Sequence, residues 1–284
     1  MNRRSFIRNT FVSMATLLGM SGLSYYYARE IEPEMLRINK EDMIANPIPH
    51  SFDGFKIVQF SDTHVGFHYT EEQLIELVSK INELEPDLIV FTGDLIDAPH
   101  KYKNTKQISL ILHKLKAEYG KYWVYGNHDH GGYGTDLVHE VMEQAHFHLL
   151  QNSHIPIQRG QDEIILAGID DVILGTPDLH ATLKDSDEER FTILLAHEPD
   201  FADTTVNFPV DVQLSGHSHG GQVRLPFIGH LYTPTYAEKY IQGKYRFKQN
   251  NLVLYVNKGI GTTRLPFRFL CKPEIHSYTL KSNQ

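Results

Sequence analysis

Residues 55–64 read "FKIVQFSDTH", an apolar run that ends in an aspartate and a histidine. The aromatic and β-branched side chains of 55–60 are typical of a buried strand. Thr70 then opens "TEEQLIELVSKINEL" (70–84), where Thr70 and Gln73 can form a capping box. Apolar residues recur there at helical spacing, namely Leu74, Leu77, Val78, Ile81 and Leu84. A strand followed by an amphipathic helix is therefore predicted.

The same alternation continues downstream. "DLIVF" (87–91) and "YWVY" (122–125) have the pattern of strands, and "KQISLILHKLKAEYG" (106–120) lies between them with the pattern of a helix. Gly120 is expected to end that helix. A further helix is predicted around 135–147. Strands that alternate with helices in this way predict a parallel sheet covered by helices.

The second half of the chain is richer in strands. "QNN" (249–251) is a plausible hairpin turn between two of them. The predicted strands are 163–169, 191–196, 210–214, 222–226, 245–248, 252–256 and 275–280. One α/β domain, with two sheets packed face to face and helices outside, accounts best for this pattern.

The charge of the chain argues against nucleic-acid binding. The 284 residues carry a formal net charge of −8. Residues 1–28 contain three arginines and no acid, which leaves 24 basic residues against 35 acidic ones in the remainder. An acidic body gives no support to non-specific binding of nucleic acid, which needs excess Lys and Arg. The single cysteine, Cys271, excludes an intrachain disulfide and is expected to be a small packed residue.

The N-terminus indicates export. Arg3 and Arg4 precede an apolar segment, 10–24, of about fifteen residues, which is short of the ~20 that a membrane-spanning helix needs. Residues 1–28 therefore have the make-up of a signal peptide and resemble a twin-arginine signal, with cleavage possible after Ser24. The alternative is a retained membrane anchor or a disordered terminus. A twin-arginine route makes the translocase a partner during export. It implies a protein that is secreted, bound to the cell wall or held at the outer face of the membrane.

Residues 29–50 mix charges with prolines, which predicts a lead-in segment. The globular domain is expected to cover 51–284.

Polar side chains follow five of the predicted strands. In open α/β sheets, ligands bind at the carboxyl ends of strands. The segments are "SDTH" (61–64), "TGDLID" (92–97), "GNHD" (126–129), "HEPD" (197–200) and "SGHSHGG" (215–221). Each alone has an ordinary alternative, because Asp at a strand end is often a turn or cap residue and Gly-Asn is a turn signal. Their joint occurrence, each behind its own strand, favours a functional site.

The residue types suit divalent cations. The candidate ligands drawn from these segments are two carboxylates, four imidazoles and one carboxamide oxygen, and the segments contain no cysteine. Mixed nitrogen and oxygen donors favour Mn, Zn or Fe over Ca or Mg. Two such cations about 3.5–4 Å apart, joined by a carboxylate, serve in-line displacement at phosphorus. A site for two divalent metal ions, Mn, Zn or Fe, is therefore predicted.

These segments together resemble the calcineurin-like metallophosphoesterase superfamily over roughly residues 55–280. "GHSHGGQVRLP" (216–226) and "GIGTTRLPFRFLCKPEI" (259–275) resemble its exported bacterial branch. The resemblance implies a four-layer α/β sandwich of two mixed β-sheets flanked by helices. It also implies hydrolysis of phosphoric esters through a hydroxide held by two metals.

The resemblance assigns a role to each polar residue. Asp62, His64 and His219 would hold one metal, and Asn127, His197 and His217 the other. Asp94 would bridge them. His128 would act on the substrate phosphate, by stabilising charge or by protonating the leaving oxygen, with Asp97 as its partner. Asp129 is expected to support the site or only to form a turn, and Glu198 to be exposed.

Substrate binding is less defined. Arg224 and Arg264 are candidates for contact with phosphate, and an ordinary solvated loop arginine is an equal alternative for each. The leading hypothesis is a phosphodiesterase acting on a small-molecule, lipid or wall-polymer phosphoester of the cell envelope. The alternatives are a non-catalytic metal-bound module of the same fold and, less favoured by the charge, a nuclease.

Overall fold

The computed structural model describes residue 10 and residues 20–45, 48–130 and 134–283. Its strands are β1 (Arg37–Ala45), β2 (Lys56–Phe60), β3 (Leu88–Phe91), β4 (Lys121–Trp123), β5 (His148–Leu149), β6 (Ser153–Arg159), β7 (Asp162–Gly168), β8 (Thr192–Leu195), β9 (Val212–Ser215), β10 (Arg224–Leu225), β11 (Gly229–His230), β12 (Gly243–Arg246), β13 (Val253–Val256) and β14 (Glu274–Ser282). Its helices are α1 (Glu71–Glu83), α2 (Thr105–Leu112), α3 (Thr135–Gln144), α4 (Leu179–Thr182) and α5 (Ala202–Thr205).

Two mixed six-stranded sheets form the centre of the fold. The first has the order β1-β14-β2-β3-β4-β5, with β2 to β5 parallel and β14 antiparallel to β2. The second has the order β12-β13-β9-β8-β7-β6, with β13, β9, β8 and β7 parallel and the two outer strands antiparallel to their neighbours. Strands β10 and β11 form a separate hairpin.

Alternation of side chains along the strands builds four layers. Successive residues of a strand point to opposite faces of its sheet. Ile57 packs in the core between the two sheets, and its neighbour Val58 packs under α1 to α3. In the second sheet Ile193 faces the same central core, and Leu194 faces the α4 and α5 side. The predicted four-layer α/β sandwich is therefore confirmed.

Helix boundaries follow local signals in one case and tertiary contacts in another. The predicted capping box at the start of α1 is present, with the Gln73 N–H donating to Thr70 and the Gln73 side chain accepting from the Thr70 N–H. Helix α2 instead ends at Leu112, well before Gly120. The Asn82 side chain bonds both the Lys114 carbonyl and the Lys116 N–H, and this pairing replaces the helical hydrogen bonds expected there.

The folded unit begins upstream of residue 51. Strand β1, within the predicted lead-in segment 29–50, pairs along its whole length with β14. It is an edge strand with mostly exposed, charged side chains, and Met43 is its one buried residue. Charged edge strands are common because they resist pairing with other chains, and they lack the apolar alternation by which a strand is recognised. The boundary expected at residue 51 therefore does not mark the edge of the fold.

Residues just before β1 also belong to the packed structure. The Tyr25 ring packs edge-on against Phe267, with centroids 5.3 Å apart, and the Ala28 carbonyl accepts the Arg268 N–H. The buried Glu32 carboxylate accepts the N–H groups of Leu270 and Cys271. Cleavage after Ser24 would leave all of these contacts in place. Among the described residues no helix has the length and apolar content needed to cross a bilayer.

Candidate metal centre

The expected ligands meet where the two sheets present their carboxyl edges. Asp62 and His64 follow β2, Asp94 follows β3, and Asn127 follows β4, all in the first sheet. His197 follows β8, and His217 and His219 follow β9, in the second sheet. Parallel strands deliver the residues after them to one edge. Packing of the two sheets then brings both edges into one site.

One group of ligands comprises Asp62, His64 and His219, whose donor atoms all lie within 4.8 Å of one another. The Nε2 atoms of the two imidazoles are 3.0 Å apart, and Asp62 Oδ1 is 3.5 Å from His219 Nε2. His219 is at least 155 positions from Asp62 and His64 in the sequence, and it follows a strand of the other sheet. Three buried donors that converge on one point are able to hold a cation.

A second group comprises Asp94, His197 and His217, again with donor atoms within 4.8 Å of one another. His217 Nδ1 lies 3.2 Å from His197 Nε2. His217 and His219 therefore fall into different groups although only Ser218 separates them. The Ser218 hydroxyl turns elsewhere and donates to the Ile241 carbonyl.

Asp94, a member of the second group, also lies close to the first. Its Oδ2 atom is 3.4 Å from His64 Nε2 and 3.3 Å from His197 Nε2. Its Oδ1 atom accepts the His128 N–H at 2.8 Å. One carboxylate therefore touches an imidazole of each group, which is the position a bridging ligand needs.

The backbone at these residues is strained. Asp62, His64, Asp94, His217 and His219 have φ angles of 51°, 44°, 63°, 66° and 49°. Left-handed φ is unfavourable for residues that carry a Cβ, and such strain clusters at functional sites. Five of the seven expected ligands share this conformation, so the chain holds them in place against a local cost.

Two glycines allow the close approach of the loops. A Cβ on Gly126 would overlap Asp94 Oδ1 and lie 2.8 Å from His197 Cε1. A Cβ on Gly216 would overlap the side chains of Ser61 and Asp62. Any side chain at either position would push a candidate ligand out of its group.

Two of the imidazoles that the second sheet supplies, those of His217 and His219, have lowered pKa values. Burial, reinforced by the positive charge of His197, lowers the pKa of His217 to about 3. Burial and the neighbouring His64 hold the pKa of His219 well below its usual value. A histidine must be unprotonated to bind a metal, so both are poised as ligands at neutral pH.

The positive charge of the protein groups compensates the two buried carboxylates, Asp62 and Asp94, unequally. Burial raises the pKa of Asp62. For Asp94, burial would have the same effect, but His197 and His128 outweigh it and hold the pKa well below its usual range. A buried carboxylate such as that of Asp62, whose pKa burial raises, is costly without further positive charge. Divalent cations would supply that charge.

Unpaired donors also fit bound cations. Among the described residues, Asn127 Oδ1 and His219 Nδ1 are buried without a hydrogen-bond partner. Buried polar atoms of native proteins are nearly always paired. Two groups of nitrogen and oxygen donors, together with a buried, unpaired amide oxygen on the loop after β4, suit Mn, Zn or Fe ions.

Asp97 contacts two histidines through different atoms. Its carboxylate Oδ1 is 3.2 Å from His64 Nδ1 and 3.8 Å from His128 Nδ1, whereas its main-chain carbonyl accepts from His128 Nδ1 at 2.7 Å. The expected partner of His128 is therefore beside it, and the closer of its two contacts is made by the Asp97 carbonyl, not by the carboxylate. The carboxylate instead faces the far nitrogen of a ligand, as acidic groups behind metal-bound histidines do.

The two candidate arginines differ in availability. Arg224 donates its Nη1 to the Gly220 carbonyl at 2.9 Å, so part of its guanidinium is used within the loop. The Arg264 guanidinium lies over the Tyr232 ring, 5.0 Å from the centroid, at the wall of a cavity that also includes His219.

Asp129 supports the loop that carries Asp94. Its carboxylate accepts the N–H groups of Asp94, Leu95 and Gly126 at 2.6, 2.9 and 3.2 Å. Burial and the neighbouring Asp94 raise the pKa of Asp129 to about 7. Of its two expected roles, the structure shows the supporting one.

Several groups that surround the candidate ligands could not be predicted from the sequence. Glu198, expected at the surface, is fully buried, and burial raises its pKa well above the usual value. The main-chain carbonyls of Thr92 and Thr235 face His197 Nδ1 at 2.5 Å and His217 Nε2 at 2.9 Å. A carbonyl is common to every residue, so only the folded structure can identify those that orient a ligand.

Comparison with the sequence models of protein families decides the classification. The family described as calcineurin-like phosphoesterase matches residues 55–221, more than half of the chain. The chain belongs to this metallophosphoesterase family. The matched range contains both ligand groups, Asn127 and His128. Members hydrolyse phosphoric esters, so this metallophosphoesterase is a metal-binding hydrolase.

The chain is similar to several individual proteins. The uncharacterized metallophosphoesterase YkuE of Bacillus subtilis (strain 168) is 46% identical over 283 residues, covering 99% of this chain and 98% of that protein. The UDP-2,3-diacylglucosamine pyrophosphatase LpxG of Chlamydia trachomatis is 27% identical, covering 93% and 94%. Among solved structures, TT1561 of Thermus thermophilus aligns with a TM-score of 0.47 at 12% identity, over 72% of this chain and 90% of that one.

Proposed function

We propose that this metallophosphoesterase hydrolyses a phosphodiester of the cell envelope with two divalent cations at the described ligand groups. The observation that carries the proposal is the position of Asp94 Oδ2, within 3.4 Å of an imidazole of each group. When bound, the cations supply a nucleophilic hydroxide at neutral pH and positive charge for the phosphoryl oxygens. Asp62, His64 and His219 would hold one, Asn127, His197 and His217 the other, and Asp94 both.

His128 acts on the leaving group in this proposal. The Asp97 carbonyl accepts only, so His128 Nδ1 carries a proton and Nε2 is left to face the substrate. Burial alone would lower the pKa of His128, but Asp94 and the Asp97 carbonyl outweigh it and raise the pKa. A raised pKa keeps the imidazolium populated to higher pH, which suits an acid that protonates the leaving oxygen.

The preference for a diester rests on a relative. LpxG of Chlamydia trachomatis, a UDP-2,3-diacylglucosamine pyrophosphatase, aligns along nearly its whole length with this chain. A pyrophosphate link between two organic groups has a phosphorus bonded through oxygen on two sides, as a phosphodiester has. This supports a substrate with substituents on both sides of the phosphate.

Metal removal tests the proposal. We expect the purified full-length chain to contain two equivalents of Mn, Zn or Fe and to hydrolyse bis-p-nitrophenyl phosphate faster than p-nitrophenyl phosphate. A chelator should abolish both activities, and re-addition of the metal should restore them. Activity that survives complete metal removal would contradict the two-metal site. Bound metal without turnover of any phosphate ester would favour the non-catalytic module instead, and cleavage of DNA or RNA would favour the nuclease.

We also propose export by a twin-arginine route. Arg3 and Arg4, which carry this proposal, lie outside the described residues. Replacing the pair with Lys-Lys is expected to leave the protein in the cytoplasmic fraction, whereas the unaltered chain fractionates with the wall, the medium or the membrane. Arg8→Lys is the matched control, since it changes an arginine of the same segment outside the pair. Equal distribution of both variants would refute the route.

A further inference from the structure

An apolar cavity adjoins the candidate metal centre. Its volume is about 860 Å³, within the range of small-molecule sites. His219, a member of the first ligand group, is part of its wall. The rest of the wall comes from Ser218 and from segments 221–234, 263–269 and 24–28. A molecule in this cavity would therefore have one end at the metal centre.

The lining is suited to hydrocarbon. Arg264 is the one acidic or basic side chain, apart from His219, among the described residues that form the wall. Large apolar groups make up most of it, including Val223, Leu225, Leu231, Phe267 and Phe269. The hydrophobic effect favours filling such a wall with apolar groups. A sugar, nucleotide or peptide backbone would find few polar partners on this wall.

The segments that form the cavity wall also carry exposed apolar side chains, which are called its rim below. Phe227 and Ile228, at the tip of the β10–β11 hairpin, are fully and 70% exposed. Leu231 and Leu265, which line the cavity, are each 57% exposed, and Leu23 on the neighbouring helical segment 20–26 is 73% exposed. Exposed apolar groups gathered on one face mark an interaction surface. An apolar rim around an apolar cavity fits the surface of a lipid bilayer.

We propose that the cavity binds the acyl chain of a lipid phosphoester taken from a bilayer, with its phosphate at the metal centre. The position of the phosphate rests on the function proposed above, whereas the position of the acyl chain rests on the cavity alone. A folded partner or a second copy could cover the rim, but neither would place a phosphoester beside His219. In the reaction, water oxygen bonds to phosphorus, the bond to the leaving oxygen breaks, and a proton passes to that oxygen.

Binding of an acyl probe is the first test. The metal-loaded full-length chain, without detergent, is titrated with 11-(dansylamino)undecanoic acid. We expect saturable binding that dodecyl phosphate displaces and ethyl phosphate does not. Leu231→Glu and, independently, Leu265→Glu should weaken binding at least tenfold, because each places a charge in the apolar wall. Leu110→Glu is the control, since Leu110 on α2 is similarly exposed, at 52%, and lies outside the cavity.

Turnover separates this proposal from the proposed function. We expect kcat/KM to favour p-nitrophenyl dodecyl phosphate over p-nitrophenyl ethyl phosphate, and Leu231→Glu to lower this ratio at least tenfold while Leu110→Glu leaves it unchanged. Probe binding without turnover of either ester supports the acyl site and contradicts the proposed hydrolase function. Equal turnover of both esters without probe binding contradicts the acyl site alone.

The oligomeric state tests the remaining alternative. A dimer that Leu231→Glu dissociates, without effect on probe binding, would overturn the proposal in favour of a second copy as the occupant of this face.

Discussion

Asp94→Asn is expected to lower hydrolysis of bis-p-nitrophenyl phosphate more than about 10³-fold and to reduce the bound metal to one equivalent or less. Asp94 Oδ2 lies 3.4 and 3.3 Å from imidazoles of the two ligand groups, so its charge serves both. A neutral amide can bind one cation weakly through its oxygen, but it cannot compensate the charge of two cations. The measurements are elemental analysis of the purified protein and steady-state rates at saturating metal.

The substitution preserves the surroundings of Asp94, which makes the result interpretable. An Asn side chain keeps an oxygen that can accept the His128 N–H, and Asp129 still accepts the main-chain N–H of residue 94. Asp87→Asn is the matched control, because Asp87 immediately precedes β3 at its other end and its carboxylate accepts the Lys56 N–H. Two retained metals with full activity in Asp94→Asn would show that the shared position of this carboxylate has no role in binding them.

His128→Gln is expected to lower the rate about 10²–10⁴-fold for diesters with alkoxide leaving groups, with two metals retained. His128 belongs to neither of the two ligand groups described above. Its donor atom lies within 4.8 Å of those of His64 and Asp97, and its main-chain N–H contacts Asp94. A p-nitrophenolate departs without a proton, whereas an alkoxide needs one. If the imidazole protonates the leaving oxygen, the loss should be much smaller for p-nitrophenyl esters than for alkyl esters.

The leaving-group comparison separates the two roles proposed for His128. An equal loss with both kinds of ester would indicate that the imidazole stabilises charge on the phosphoryl group and donates no proton. His113→Gln serves as the control, because His113 is exposed at the end of α2 and contacts no ligand group. Activity of His128→Gln equal to that of the unaltered chain would exclude both roles.

Local patterns were sufficient to predict most of the layers. Ile57 and Val58 are both apolar, and strand geometry alone requires them to face two different buried surfaces, as they do. The capping box at Thr70 was predictable because it involves groups only three residues apart. The end of α2 was not, because the contacts of Asn82 with 114–116 join segments about 30 residues apart.

Edge strand β1 shows a second limit. An edge strand has one neighbour and much exposed surface, so its side chains carry little of the apolar alternation from which strands are predicted. Glu198 shows the converse, since a glutamate after a strand gives no sign of complete burial. In both cases the environment comes from segments far away in the sequence.

The sequence by itself determined the class of strands and helices, and it placed polar ligands behind five strands, because both depend on short-range periodicity. Only the tertiary structure decided how the ligands combine. His64 meets His219 across 155 residues, and the adjacent His217 joins His197 instead. The contact of the Asp97 carbonyl with His128 and the apolar cavity beside His219 are likewise tertiary. The physical reason is that the packing of one sheet on the other fixes which strand ends face each other, and no short stretch of sequence carries that information.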